Sequence, residues 1–258
     1  MILFFLKKAF FDGWDHLFLL VALNIGFLAL GGGMILVPPL LAPLGLFALY
    51  AVLVFFILLF SVYFATVVFF IDKVADFGNP GPKDFSPALK AGLAPGLQVG
   101  AALAGGWFLL SVGLPFYFSR GGLVGAFAAG LLLWCALVAV LALQYYLPLR
   151  ARLGGGIKKN ARKCMVLFFD NPGFSIFLFF YNAGTLVLSV FFAFLAPGFA
   201  GTALVLDDAL KLRLHKYDWL EKNPKANRKQ VPWGELLEED KELVGKRTLK
   251  GMIFPWKE

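Results

Sequence analysis

The side chains that could do chemistry in this sequence are few and stand far apart. His16 and His215 are the only histidines, Cys135 and Cys164 the only cysteines. Neither pair has a further ligand at metal-binding spacing, so no metal site is expected. One cysteine sits inside an apolar run and the other beside a basic one, so no disulfide is expected either. There is no Ser–His–Asp set, no glycine-rich phosphate loop and no pair of catalytic carboxylates. Neither an enzyme nor a bound cofactor is therefore expected. Asp207 and Asp208 are the exception. Adjacent carboxylates could form a cation or partner site at the cytoplasmic mouth of a membrane protein. They equally suit an i,i+4 ion pair of Asp207 with Lys211 on an emerging helix, and this is the preferred reading.

Other residue patterns point to surfaces. Arg150, Arg152, Lys158, Lys159, Arg162 and Lys163 fall in one stretch without an acid. Such a stretch attracts anionic lipid headgroups by about 1 kcal/mol per basic residue near the membrane surface, and a cytoplasmic protein partner could use the same patch. Gly96 and Gly100, then Gly121, Gly125 and Ala129, recur four apart. Small residues at that spacing let helix backbones approach closely in lipid. Asn24, Ser61, Thr66, Gln98, Ser111, Gln144, Asn182, Thr185 and Ser189 are the polar residues of the apolar runs, suited to hydrogen bonding between helices. None is ionisable, which argues against an autonomous ion-coupled transporter.

The elements that must position these residues are written in the charge map. No Asp, Glu, Lys or Arg occurs from Leu17 to Ile71, from Ala91 to Ser119 or from Gly121 to Leu149. A surface helix of a soluble domain cannot stay uncharged for so long. A helix crossing about 30 Å of hydrocarbon needs roughly 20 apolar residues. Charged residues make up 16% of the chain, against about 25% in soluble domains. The fold class is thus all-α, a polytopic transmembrane helical bundle of about six spans, near 17–36, 44–70, 96–117, 122–147, 174–195 and 199–214. The last is short and polar for a span. Gly31–Gly33 and Pro38-Pro39 are expected to break the backbone, through a re-entrant element or, more simply, a short turn. Ser86-Pro87 reads as a helix start, and Asp170-Asn-Pro-Gly173 as punctuation.

Residues 2–14 read as an amphipathic helix in the interface, or else as an extension of the first span. A second interfacial helix begins near 157. With both termini cytoplasmic, every Lys and Arg of the 24 except Arg120 lies inside, which follows the positive-inside rule. The net charge of +8 is accordingly read as topology, and no nucleic acid partner is expected. Residues 215–258 form a polar cytoplasmic tail with an apolar, aromatic end. Met252, Ile253, Phe254 and Trp256 are expected to dock that tail on this protein or on a partner.

Several landmarks in order resemble the YesL-like family of bacterial membrane proteins, whose molecular function is unknown. They are the Gly31–Pro43 break, Asp84-Phe-Ser-Pro-Ala-Leu-Lys90, Leu147-Pro-Leu-Arg-Ala-Arg152, and the Lys158–Lys163 helix leading to Asn171-Pro172. The resemblance covers roughly residues 10–215. It implies a six-span inner-membrane protein associated with carbohydrate ABC-transporter systems, and no catalytic residues. Together these observations lead to the expectation of a non-enzymatic accessory or structural subunit of a membrane complex, in contact with the bilayer and its anionic lipids. A stand-alone oligomeric transporter or channel for a small solute is the alternative.

Overall fold

The computed structural model describes residues 1–228, 230–245 and 247, and among them every regular element is helical. In chain order these are α1 (Ile2–Asp15), α2 (Leu17–Leu41), α3 (Leu46–Ala75), α4 (Pro82–Arg120), α5 (Gly122–Leu143), α6 (Tyr146–Leu153), α7 (Ile157–Asp170), α8 (Pro172–Phe191), α9 (Gly198–Lys222), α10 (Trp233–Leu236) and α11 (Glu238–Val244). Five segments are long and apolar enough to cross a membrane: Leu17–Leu44, Leu46–Ala75, Pro82–Arg120, Gly122–Leu153 and Pro172–Phe191.

Several boundaries differ from those expected. Gly31–Gly33, Pro38 and Pro39 lie inside the continuous α2, which turns only at Ala42–Leu44. Pro39 lies two residues from the helix end, so the helical hydrogen bonds the two prolines forgo belong to its last turns. The start expected at Ser86-Pro87 is displaced to Pro82, where the Asp84 carboxylate accepts a hydrogen bond from the Gly81 amide at 2.8 Å. Asn171 does start α8, its side chain accepting from the Phe174 amide, with Pro172 in the first turn.

The glycines of α4 divide by what they face. A Cβ on Gly96 would lie 2.5 Å from the Cα of Val62, and one on Gly100 would lie 3.1 Å from the Cα of Leu58. Both therefore permit the close crossing of α3 and α4, and Gly92 does the same against Thr66. Gly125 sits against the Tyr117 carbonyl at the α4–α5 hairpin. Gly121 does not pack. It occupies the hairpin turn at φ +65, where a Cβ would meet nothing, and its role is conformational.

The segment from 198 onward forms α9, which lipid does not surround. Its residues from Ala200 to Leu210 are all buried, under α1, α2, α3, α6 and α8. Phe5 of α1 meets Phe174, Phe177 and Tyr181 of α8 edge-on. Phe27 of α2 packs between Phe60, Tyr63 and Phe199. The start of α9 is held by two side chains, the first being Ser189, whose Oγ accepts from the Gly198 amide at 2.9 Å. Asn24 donates to the carbonyls of Leu195 (3.0 Å) and Pro197 (2.8 Å), and accepts from the Ala200 amide (2.9 Å). A buried amide that satisfies three backbone groups explains how an irregular turn survives among apolar helices.

Candidate functional site

At the end of the bundle where α1, α6 and the tail meet α9, charged side chains enter the protein interior. The sequence places Asp207 and Asp208 side by side, and helical geometry aims them about 100° apart. Each finds a different cation. Arg152, at the end of α6, reaches Asp207 with Nε to Oδ1 at 3.1 Å and Nη2 to Oδ2 at 3.2 Å. The same guanidinium lies 3.1 Å from Asp72 Oδ1 and donates to both oxygens of Asp76 at 3.1 Å. This fork-to-carboxylate geometry is the strong form of the ion pair. Lys8 of α1 lies 3.0 Å from Asp208 Oδ1 and also donates to Asp12 one turn along its own helix. The Lys8 and Asp208 side chains are both fully buried.

The two clusters share an aromatic wall. Phe77 lies between Lys8 Nζ, 4.1 Å from its ring centroid, and Lys211 Nζ at 4.6 Å. Phe77 adopts φ +61 in the turn closing α3, where its amide and that of Gly78 satisfy the carbonyls of Val74 and Lys73. A bulky residue in the left-handed region costs on the order of 1–3 kcal/mol. Two cation–π contacts, each about 0.5–2 kcal/mol, offset that strain.

Lys211 continues the network outward, donating to Asp240 at 2.9 Å and to the Ala75 carbonyl at 3.0 Å. His215 Nε2 lies 2.9 Å from the other Asp240 oxygen. Asp240 belongs to α11, so the tail is docked on its own protein through this carboxylate and the buried Leu237 and Val244. Arg247 reaches Asp15 at 2.7 Å, and Lys7 donates to the Gly245 carbonyl at 2.8 Å. A further cluster joins α7 to α9, where Arg213 and Lys216 share Asp170 at 3.0 and 2.6 Å.

The surroundings shift these groups in distinct ways. Burial works against the Lys8 ammonium, yet the facing carboxylates of Asp208 and Asp12 hold its pKa above the ordinary range. Burial pushes the Asp12 carboxyl up in spite of Lys8. Asp240 is the reverse case: burial would raise it, but hydrogen bonds from His215 and Lys211 hold it down to about 2. Burial pushes the Cys164 thiol up to about 12, which keeps it protonated and unreactive. Among the described residues, no group of three His, Cys, Asp or Glu side chains could hold a metal ion.

Set against expectation, Asp207 does not pair with Lys211. Arg152 takes Asp207, because α6 delivers a planar donor fork to it while Lys211 turns to Asp240. Arg152 is thereby withdrawn from the headgroup patch, its side chain only 11% exposed. Lys158, Lys159 and Arg162 stay exposed on α7, with Arg150 and Lys163 half-buried. Met252, Ile253, Phe254 and Trp256 lie outside the described residues; the docking seen involves 233–245 and Arg247. Sequence reasoning missed Lys8, Asp12, Asp72 and Asp76. Their one shared signal is position, since each stands within a turn or two of the end of an apolar run.

Two cavities of about 410 Å³ open on the surface, one lined by Arg162, Phe169, Asp170 and Tyr217 and the other by Trp134, Cys135, Leu143 and Met165. Comparison of the chain with protein-family models, with curated proteins and with solved structures finds no match.

Proposed function

We propose that this chain is a non-enzymatic accessory or structural subunit of a membrane assembly, seated in a bacterial inner membrane with both termini cytoplasmic. The observation that carries the reading is the division of glycines along the α4–α5 hairpin. Gly92, Gly96 and Gly100 are consumed by α3, whereas a Cβ at Gly105, Gly106 or Gly130 would meet nothing within 4 Å. Small residues left open on an apolar hairpin are where a helix of another membrane protein can approach closely. The charged end supports the same reading, since its ion pairs tie α1, α6, α9 and the tail to one another. The resemblance to the YesL-like family extends the proposal to carbohydrate ABC transport systems, with the exposed basic residues of α7 on anionic headgroups.

The test is affinity purification of the tagged full-length chain from its native host in a mild detergent. A second membrane protein is expected in stoichiometric amount, and Gly105→Leu with Gly106→Leu should release it while the chain stays monodisperse. Recovery of this chain alone overturns the reading.

A second reading, a stand-alone transporter, is favoured by the fully buried carboxylates of α9, because ionisable groups at depth often mark ion pathways. Solute flux into proteoliposomes of the pure protein would establish it.

A further inference from the structure

We propose that Asp12, Lys8 and Asp208 form a proton-binding site, in which one proton shared between the two carboxyls fastens α1 to α9. The inference is independent of whether the chain works alone or with a partner. It stands first on charge. Two carboxylates and one ammonium meet where Lys8 and Asp208 are wholly buried and Asp12 is 4% exposed. With both acids ionised the site carries an uncompensated negative charge, and a protein interior relieves such a charge by neutralising a group.

It stands second on the contacts. The Lys8 ammonium gathers both carboxyls, contacting Asp12 Oδ2 and lying 3.0 Å from Asp208 Oδ1. Two carboxylates held on one buried ammonium repel each other, and a proton taken up between them relieves that repulsion, as in paired carboxyls elsewhere. Both Asp208 oxygens are buried without a hydrogen-bond partner, so a hydrogen on this carboxyl meets no competing donor. A metal cation does not suit the site, because the Lys8 ammonium already sits against Asp12 Oδ2 and Asp208 Oδ1.

The groups facing the pair are few. From α1 they are Lys8 and, beyond Asp12, His16; from α8, the Tyr181 phenol; and across the Phe77 ring, Lys211. Arg152 is engaged with Asp72, Asp76 and Asp207 and supplies no compensation. The step is a protonation from water: one O–H bond forms on the carboxyl pair and the site passes from one net negative charge to neutral.

Infrared difference spectroscopy of the full-length chain in lipid nanodiscs, taken as pH is raised, reads the proton directly. The expected result is a protonated carboxyl band that titrates away with rising pH and is missing in Asp208→Asn, any band of the buried Asp207 being assigned by its loss in Asp207→Asn. Asp12→Asn, which leaves one carboxylate facing Lys8, should lose the same band and serves if Asp208→Asn does not fold. A merely structural ion pair has no such band to lose. A parent spectrum with no carboxyl band that either Asp208→Asn or Asp12→Asn removes overturns the proposal.

Discussion

Arg152 answers three carboxylates at once, from the end of α3, the turn after it and α9. Exposed ion pairs contribute little, but removing one partner of a buried pair costs on the order of 3–5 kcal/mol, because the other charge is left uncompensated. Arg152→Gln is therefore expected to lower the apparent melting temperature of the detergent-solubilised protein sharply, whereas Lys158→Gln, at an exposed position of the same basic stretch, should leave it unchanged. Equal melting of the two variants would show that the cluster contributes nothing to stability. Which member of the basic stretch turns inward could not be read from the sequence. Arg150 and Arg152 differ by two positions on a short helix, and only the placement of Asp207, Asp72 and Asp76 selects the second.

Helix contacts were easier to read, since lipid imposes simple rules. The spacing of Gly96 and Gly100 marked a close helix contact, because only a missing Cβ permits such backbone approach, and the fold supplies α3 as its partner. Gly96→Leu should destabilise the fold and Gly105→Leu should not, as thermal unfolding of each variant in detergent can check. Gly121 shared the spacing but serves a turn, a distinction that rests on its φ of +65. With six spans and both termini cytoplasmic, the turn between the fifth and sixth, near 196–200, would be external. Asn24 instead holds it seven residues into α2, about 10 Å along that helix at 1.5 Å per residue. α2 continues for 17 residues beyond Asn24 to Leu41, about 25 Å by the same rise. In a chain freed of Cys135 and Cys164, Phe192→Cys is therefore expected to resist membrane-impermeant maleimides from either side, while Ser119→Cys is labelled. Ready labelling of position 192 would place the turn in water and restore α9 as a full span.

At the scale of the whole molecule, the tail closes the charged end. The Asp240 carboxyl is depressed from its ordinary 3.8 to about 2, so its contribution is complete above about pH 4 and is lost as pH falls toward 2. Hydrogen exchange across 233–245 should accordingly show constant protection from neutrality to about pH 5 and release below about pH 4. Release already above pH 5 would mean that Asp240 does not govern the docking. The sequence by itself determined that this chain is helical and membrane-embedded, because a bilayer forbids charge over the length of a span and the empty intervals in the charge map satisfy that condition. It also marked the break at Asp170-Asn-Pro-Gly173, which falls between α7 and α8 and depends on near neighbours. Only the tertiary structure decided where the remaining charges go. Lys8 and Asp208 are joined across 200 positions, Arg152 and Asp207 across 55, and α9, read from sequence as a short and polar sixth span, is enclosed by protein. Pattern rules describe what a helix presents to lipid or water. The partners of a helix enclosed by other helices are set by packing, which no local spacing encodes.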